Sequence, residues 1–589
     1  MLACLKTRRN QLTSTLLQPL HYVPKWIQGN SRPSVSSSPA MREQATMNFL
    51  GNEIRYDVSE DDLYNYKGQR WLWNEKDQLQ RRYQKFNLKA LIKIAENAAG
   101  DGAVCTDMSK LPEGNFNKTF LVKMEDGREL IARLPNPNAG CSHYTTASEV
   151  ATMDYVKNCL SIPVPKVLAY STQASTNGVG AEYIIMEKNP GIELARVWDD
   201  LEGRQKIDIV RQLAVFTSRL SKAHFPAYGS LYYSKDLPDI NNKLVDDTFS
   251  VGPTTSRAWF DDKRSEVNVH RGPWTSVEDV VNAVVEREVN CLNTFAEFPR
   301  DRQQGIFNGP GSFCPSKASK MAVIEDVRRV LSHILPKDNA YTASILWHND
   351  LHSDNIFVNR DRPTEITGVI DWQGVHLSPA FLHVHYPSLI EYDGPILDGF
   401  ELPKLPPNIA DLDPAAKDAA KKRHLSQSIW GLYQIFTQKQ SPDLLQSFRY
   451  RDTLSCQIIA LVGSIFDDGE IYVQSLLSQL TTPDIWKTVV KSDIPCPLSY
   501  TEDQLTKQKE DLAKWESAVE QKAAVVAKVG AYTGWDGAVT LEEYDIASQR
   551  LQDAKQSFLD SKSITSVEEW AVWEAVWPFQ DSENKGCSQ

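Results

Sequence analysis

The stretch Leu346-Trp-His-Asn-Asp-Leu-His-Ser-Asp-Asn-Ile-Phe-Val-Asn359, followed by Ile366-Thr-Gly-Val-Ile-Asp-Trp372, decides how the rest of the chain is read. Residues 356–359 and 366–370 are short and rich in β-branched or aromatic side chains, and the turn-like Arg360-Asp-Arg-Pro363 separates them. An antiparallel strand pair is therefore predicted. In such a pair Asn355, just before the first strand, and Asp371, just after the second, emerge at the same end. Asp350, in the loop leading into the first strand, can reach that end too. Three polar groups thus converge: two that suit a hard cation through oxygen, and one carboxylate free to accept a proton from an attacking hydroxyl.

The spacing says more. His348-Asn349-Asp350-Leu351-His352-Ser353-Asp354-Asn355 has the frame His-x-Asp-Leu-x-x-x-Asn of the protein-kinase catalytic loop, and Ile370-Asp371-Trp372 follows after one hairpin. The chain resembles the aminoglycoside phosphotransferase branch of the kinase-like superfamily, in which Asp-Trp commonly stands where protein kinases have Asp-Phe-Gly. That resemblance implies Asp350 as catalytic base, Asn355 and Asp371 as magnesium (Mg2+) ligands, and ATP as phosphoryl donor.

Taken singly, each residue has an ordinary explanation: Asp350 can cap a helix, Asn355 close a turn and Asp371 end a strand. His348 reads as an orienting, hydrogen-bonded residue of the loop. A rival assembly is the zinc site of a metallohydrolase, for which His348-x-Asp350-x-His352 and His383-x-His385 supply imidazole and carboxylate ligands. It leaves Asn355 and the Asp-Trp pair without a role.

With 589 residues, 41% hydrophobic and 24% charged, the chain has the composition of a soluble globular protein with room for roughly two to four domains. No run of about 18 apolar residues suggests a membrane span. A net charge of −12 argues against a nucleic-acid role for the whole protein. The nine cysteines, scattered from Cys4 to Cys587 without a Cys-x-x-Cys pair, suit free thiols in a reducing compartment better than a disulfide framework. Residues 1–42 stand apart, with six basic residues, no Asp or Glu, a Ser/Pro tract at 31–39, and Leu2, Leu5, Leu12, Leu16 and Leu17 at roughly helical spacing. This is the signature of a mitochondrial presequence, with an ordinary disordered tail as the plainer reading. Its removal would take the formal charge from −12 to −18.

Residues 61–92 hold Tyr66-Lys-Gly-Gln-Arg-Trp-Leu-Trp-Asn-Glu75, with Trp71 and Trp73 read as buried packing residues. A run through Tyr83, Phe86, Leu88, Leu91 and Ile92 then predicts a helix. The Arg-Trp-Leu-Trp-Asn-Glu string resembles one found before the kinase-like core in a fungal group of phosphotransferase-like proteins, some named for altered inheritance of mitochondria. The resemblance runs in order from about Tyr64 to Pro379, with a poorly matched insertion between.

Three strands are predicted next, Val104–Lys110, Thr119–Lys123 and Glu129–Leu134, the last two joined at Asp126-Gly127. They read as the start of a kinase-like small lobe, in which Gly114, Asn115, Phe116 and Asn117 cover the nucleotide phosphates. Glycine suits close backbone approach, although one glycine also fits a plain β-turn. Arg133 takes the third-strand position where protein kinases carry Lys. Its guanidinium offers a fork of donors to phosphate but is not interchangeable with an ammonium. The helix partner is expected at Glu149, within Thr146–Val156, whose other reading is a solvated carboxylate. The apolar strand Tyr183–Met186 runs into a polar turn, where Met186, Glu187 and Lys188 are expected to present main-chain groups to adenine.

Ile209, Val210, Leu213, Phe216 and Leu220 recur at helical spacing and predict a core helix of the large lobe. Residues 225–320 read as an insertion that walls the acceptor pocket. Helices dominate after the Pro/Asp-rich linker Pro403–Pro414. Trp535–Glu543 imitates the end of a calcium-binding EF-hand, but Tyr532 and Gly534 stand where carboxylates are needed, so that reading is rejected. Trp570, Trp573 and Trp577 form a helix-face stripe expected to dock on the core.

The expected whole is an α+β, bilobed protein-kinase-like fold, with a presequence at 1–42, an N-terminal extension at 43–100, a β-rich N-lobe at 101–190, a helical C-lobe at 191–400 interrupted at about 225–320, and a C-terminal helical extension at 401–589. The expected activity is ATP- and magnesium-dependent phosphorylation of a hydroxyl on a small-molecule acceptor. Arg133 and the glycine-poor loop keep a second reading open, a catalytically weak pseudokinase that acts as a nucleotide-binding mitochondrial scaffold.

Overall fold

In Asn117–Met124 alternate side chains are buried, so Phe120, Val122 and Met124 share the inner face of a strand. A computed structural model places this strand in a seven-stranded antiparallel sheet; the structure describes residues 46–50, 53–56, 60–100, 102–238, 242–392, 403–531 and 535–581. The expected presequence lies outside the described residues. The strands are β1 (Thr46–Leu50), β2 (Glu53–Tyr56), β3 (Cys105–Lys110), β4 (Asn117–Met124), β5 (Glu129–Pro135), β6 (Val167–Ser171) and β7 (Tyr183–Glu187), in spatial order β2-β1-β3-β4-β5-β7-β6.

Helix α1 (Leu88–Ala99) covers one face of this sheet, packing Leu88, Leu91, Ile92 and Ala95 with Met108, Phe120, Val122 and Ile185. It starts at Leu88 and not near Tyr83, because the Asn87 side chain accepts the Ala90 N–H at 3.1 Å and caps it there. Helix α2 (Tyr144–Asn158) is fastened at its start by Glu182, whose carboxylate accepts from the His143 N–H (2.7 Å), the Thr146 hydroxyl (2.5 Å) and the Ser142 hydroxyl. A carboxylate there also complements the positive end of the helix dipole.

The large lobe is organised on α3 (Gly203–Lys222), whose buried Ile209, Val210, Leu213, Phe216 and Leu220 share one hydrophobic cluster with Leu346, Trp347, Ile356 and Trp372. The insertion adds α4 (Val277–Thr294) and α5 (Lys317–Ile334), which build a second cluster with helices between 454 and 490. Helix α6 (Pro414–Gln440) packs along α3, and its buried Tyr433 hydroxyl lies 2.9 Å from that of Thr217. Because Tyr433 shares a cluster with Trp372, the lobe core continues well past residue 401.

The rest of the C-terminal region, with α7 (Glu502–Val529), α8 (Tyr544–Asp560) and α9 (Val567–Ala575), returns to the N-terminal extension. Ala538–Val539 pairs antiparallel with Arg70–Trp71, the rejected calcium-loop segment thus serving as a short strand. Trp73 meets Trp535 edge-on at 5.1 Å, and the Arg70 guanidinium stacks 3.5 Å over the Tyr544 ring. Trp71 and Trp73 are buried, as the sequence indicates. Of the expected stripe, Trp573 and Trp577 are buried in a cluster with Trp73 and Ile306, whereas Trp570 is 42% exposed, because α9 meets the cluster only through its C-terminal half.

Removing the indole at the centre of this seam has a calculable effect. Trp577→Ala is expected to lower stability by about 3–5 kcal/mol, read as a drop in the urea midpoint; an unchanged midpoint would show that the terminal seam does not support the fold.

Candidate active site

Strands β9 (Ile356–Val358) and β10 (Ile366–Val369) pair antiparallel, Ile356 opposite Val369, and β8 (Ile192–Glu193) flanks β9. The Ile370 N–H donates to the Asn355 carbonyl at 3.0 Å, so Asn355 and Asp371 leave the hairpin at one end. His348 then ties the preceding loop to that end. Its Nδ1 accepts the Asp350 N–H at 3.2 Å, which leaves Nε2 as the protonated nitrogen, donating to the Ile370 carbonyl at 2.9 Å. Burial lowers its pKa, so the ring is neutral, and it packs edge-on against Trp372 with centroids 4.7 Å apart. The Trp372 indole in turn donates to the Val369 carbonyl at 3.0 Å.

Asp350 faces two different surroundings. One carboxylate oxygen, Oδ1, is buried and has no hydrogen-bond partner among the described residues; the other lies 3.5 Å from Nε2 of His352. His352 also sets Nδ1 at 3.0 Å from the Asp354 carboxylate. Burial alone would lower its pKa, but the two carboxylates carry it up to about 10. The Asn355 amide also approaches His352 Nε2, at 3.1 Å. The Asn355 Nδ2 donates to the Asp350 main-chain carbonyl at 2.9 Å, which orients the amide and leaves Oδ1 as the atom available to a cation.

Asp371 has φ of 64°, a left-handed conformation that L-residues adopt only under local constraint. Its carboxylate is partly exposed and lies 3.7 Å from Arg133. Arg133, on β5, also forms a buried ion pair with Glu149 of α2. Burial pushes the Glu149 carboxyl up, with Arg133 opposing; for Arg133, burial is outweighed by Glu149 and then Asp371, which keep the guanidinium protonated. The fold therefore gathers Asp350, Asn355, Asp371, Arg133 and Glu149 on one side of the hairpin end. Asn355 and Asp371 are hard oxygen donors, and two protein oxygens completed by phosphate is a donor set that magnesium takes.

The remaining expected residues are placed less simply. Asn117 is the first residue of β4, so only Gly114, Asn115 and Phe116 belong to the loop proper. A Cβ on Gly114 would meet no atom within 4 Å, and the residue is not left-handed, so the protein itself does not demand glycine there. Met186 lies in β7, paired with both Ile131 and Val167. The Glu187 N–H donates to the Lys166 carbonyl (2.9 Å) and the Lys188 N–H to that of Glu129 (3.4 Å), so any nucleobase reading by this turn has to use its other main-chain atoms.

The zinc arrangement does not form: His383 Nε2 is engaged by the His376 carbonyl and both His348 nitrogens are occupied, and among the described residues no three His, Cys, Asp or Glu side chains are grouped to hold a metal ion. The seven described cysteines are free thiols. Four contributors were not foreseen. Glu182, the anchor of α2, precedes a strand and looks like any boundary carboxylate; Glu113 and Lys118, which brace the loop, carry no spacing signal. Asp354 could have been found from its Asp-x-His-x-Asp spacing with Asp350.

A family model described as the phosphotransferase enzyme family matches residues 107–271 and 313–382. The chain is 31% identical over 436 residues to a subtelomeric hrmA-associated cluster protein of Aspergillus fumigatus, covering 68% of this chain and 83% of that protein. It is 22% identical over 518 residues to altered inheritance of mitochondria protein 9, mitochondrial, of Yarrowia lipolytica, covering 82% of this chain and 86% of that protein. Among solved structures it is similar to the ADP-bound aminoglycoside phosphotransferase APH(2'')-Ib, with 12% identity and a TM-score of 0.32, over 74% of this chain and 98% of that one.

The buried pair separates charge from packing. Glu149→Ala is expected to cost about 3–5 kcal/mol, since it strands a buried guanidinium, whereas Arg133→Met with Glu149→Leu is expected to unfold within about 1 kcal/mol of the parent or above it. Equal loss in both variants, measured by denaturant unfolding, would show that packing and not charge governs the site.

Proposed function

The chain belongs to the phosphotransferase enzyme family, and on that footing we propose that it is an ATP- and magnesium-dependent kinase that phosphorylates a hydroxyl of a small molecule in mitochondria. The observation that carries this reading is the Asp350 carboxylate, with one oxygen buried and unpartnered among the described residues, in a loop that His348 ties to Ile370 and whose main chain Asn355 holds. Asp350 Oδ1 is the atom that accepts the proton of the acceptor hydroxyl. His352 Nε2 lies 3.5 Å from the other oxygen of Asp350 and orients the carboxylate. Asn355 through Oδ1 and Asp371 would hold magnesium, which would supply charge neutralisation of the phosphates. Arg133 anchors phosphate with Glu149 behind it, and Gly114 to Asn117 cover the phosphates. Most of the acceleration comes from alignment and electrostatic stabilisation, as phosphoryl transfer requires little other chemistry. The mitochondrial assignment is supported by the basic, carboxylate-free residues 1–42 and by the name of the Yarrowia relative.

One observation favours a nucleotide-binding scaffold instead: Arg133 stands where kinases place Lys, and its guanidinium is already engaged by Glu149 and Asp371. Turnover separates the two. Asp350→Asn is expected to reduce ATP-dependent phosphorylation across a panel of hydroxylated metabolites by about 10²–10⁴-fold while MgADP binding persists, and Asp371→Asn to remove the magnesium-dependent part of nucleotide affinity. MgADP binding by the parent chain with no turnover on any acceptor would establish the scaffold.

A further inference from the structure

The loop between β3 and β4 holds one glycine, yet it is fastened from four directions. From within the small lobe, the buried Glu113 carboxylate meets the ammonium groups of Lys110 and Lys118, each at 3.0 Å. From the N-terminal extension, the Lys67 N–H donates to Glu113 Oε2 at 2.7 Å, and the Arg82 carbonyl accepts from Lys118 at 2.9 Å. The other two ties cross from the large lobe. Asn117 and Gln373 exchange a reciprocal pair of amide hydrogen bonds, both 3.1 Å, two residues beyond Asp371. Arg257, from the insertion, lays its guanidinium 3.8 Å over the Phe116 ring. That guanidinium is itself oriented by a two-point ion pair with Asp261 (3.0 and 3.1 Å) and by the Asn138 carbonyl at 3.4 Å. Asn138 returns a bond from its amide to the Asn115 carbonyl at 3.2 Å.

A flexible cover would need glycines at its turns; this one has ties instead. We propose that Gln373 and Arg257 are positioning residues that seat the 111–117 loop over Asp371 before any nucleotide arrives. This rests on the reading that the loop covers nucleotide phosphates. Both residues act through others, Gln373 through Asn117 and Arg257 through Phe116. Their effect is to spare the bound state the ordering of a mobile loop, a gain in affinity through preorganisation. The insertion, on this account, contributes to the nucleotide side of the cleft as well as to any acceptor wall.

The test uses the full chain and two readouts. In the ligand-free protein, Gln373→Ala and Arg257→Ala are each expected to speed amide hydrogen exchange at 111–117 without a comparable change in the β9–β10 hairpin. In binding, each raises the dissociation constant for MgADP about threefold to tenfold and leaves that for adenosine, which has no phosphates, unchanged. Asn117→Ala with Gln373→Ala should weaken MgADP no further than either single change, and Arg257→Lys, which keeps a cation over the ring, should recover part of the loss. Unchanged exchange at 111–117 in both alanine variants overturns the seating. Equal weakening for adenosine and MgADP overturns phosphate positioning and assigns a general structural role. If the parent chain binds no MgADP while exchange in the variants is faster, the seating stands and the nucleotide reading fails.

Discussion

One neutral imidazole holds the site together. His348 accepts the Asp350 N–H through one nitrogen and donates to the Ile370 carbonyl through the other, so a single ring sets the separation between the loop carrying Asp350 and the strand end carrying Asp371. The geometry requires the uncharged tautomer with hydrogen on Nε2, because a protonated Nδ1 would face the Asp350 N–H. Burial supplies that state, and Trp372 supplies the burial. The Trp after Asp371 thus does its work by enclosing the histidine. Four residues away the surroundings act the other way: His352 is flanked by Asp350 and Asp354, which raise its pKa to about 10. Two histidines in one loop have their pKa values moved in opposite directions because one is buried and the other lies between carboxylates.

Arg133 follows the same logic of geometry over charge. A lysine ammonium on β5 would be a point cation able to satisfy Glu149, whereas the guanidinium extends one face to Glu149 and another towards Asp371. It therefore links the sheet, α2 and the hairpin end. Desolvation of such a pair is costly, and the remaining support comes from Glu182, which fixes the start of α2 and with it the direction in which Glu149 points.

What the sequence discloses depends on how local each interaction is. The convergence of Asn355 and Asp371 follows from a hairpin of two short strands with a turn between them, so residues 346–372 suffice to read it. Arg133 and Glu149 meet across separate elements, and their pairing is legible only through resemblance to a family with that arrangement. The start of α1 at Leu88 was obscured because Tyr83 and Phe86 continue the apolar spacing, while the deciding contact is the Asn87 cap. The engaged N–H groups at Glu187 and Lys188 depend on strand partners at Lys166 and Glu129, which no local pattern announces. Helix α6 reads as part of an extension by position, yet Tyr433 completes the large-lobe core. Trp570 shows the limit of a stripe argument: spacing defines a face, but the length of the partner surface decides how much of that face is covered.

The Arg70-Trp-Leu-Trp-Asn-Glu75 string, outside the residues matched by the family model, acquires a physical role in this arrangement. Its Arg70–Trp71 main chain pairs with Ala538–Val539, and Trp73 enters the cluster that also buries Trp535, Trp573 and Trp577. On its N-terminal side Lys67 meets the Glu113 carboxylate, and on its C-terminal side Arg82 meets Lys118. The string therefore meets the C-terminal region itself, while the residues flanking it meet the base of the loop. The N-terminal extension and the large lobe, far apart in sequence, both hold the loop. The glycine-rich alternative would leave that loop free and require a ligand to order it, whereas a brace built from the N-terminal extension and the large lobe places the ordering entropy in the folding reaction instead.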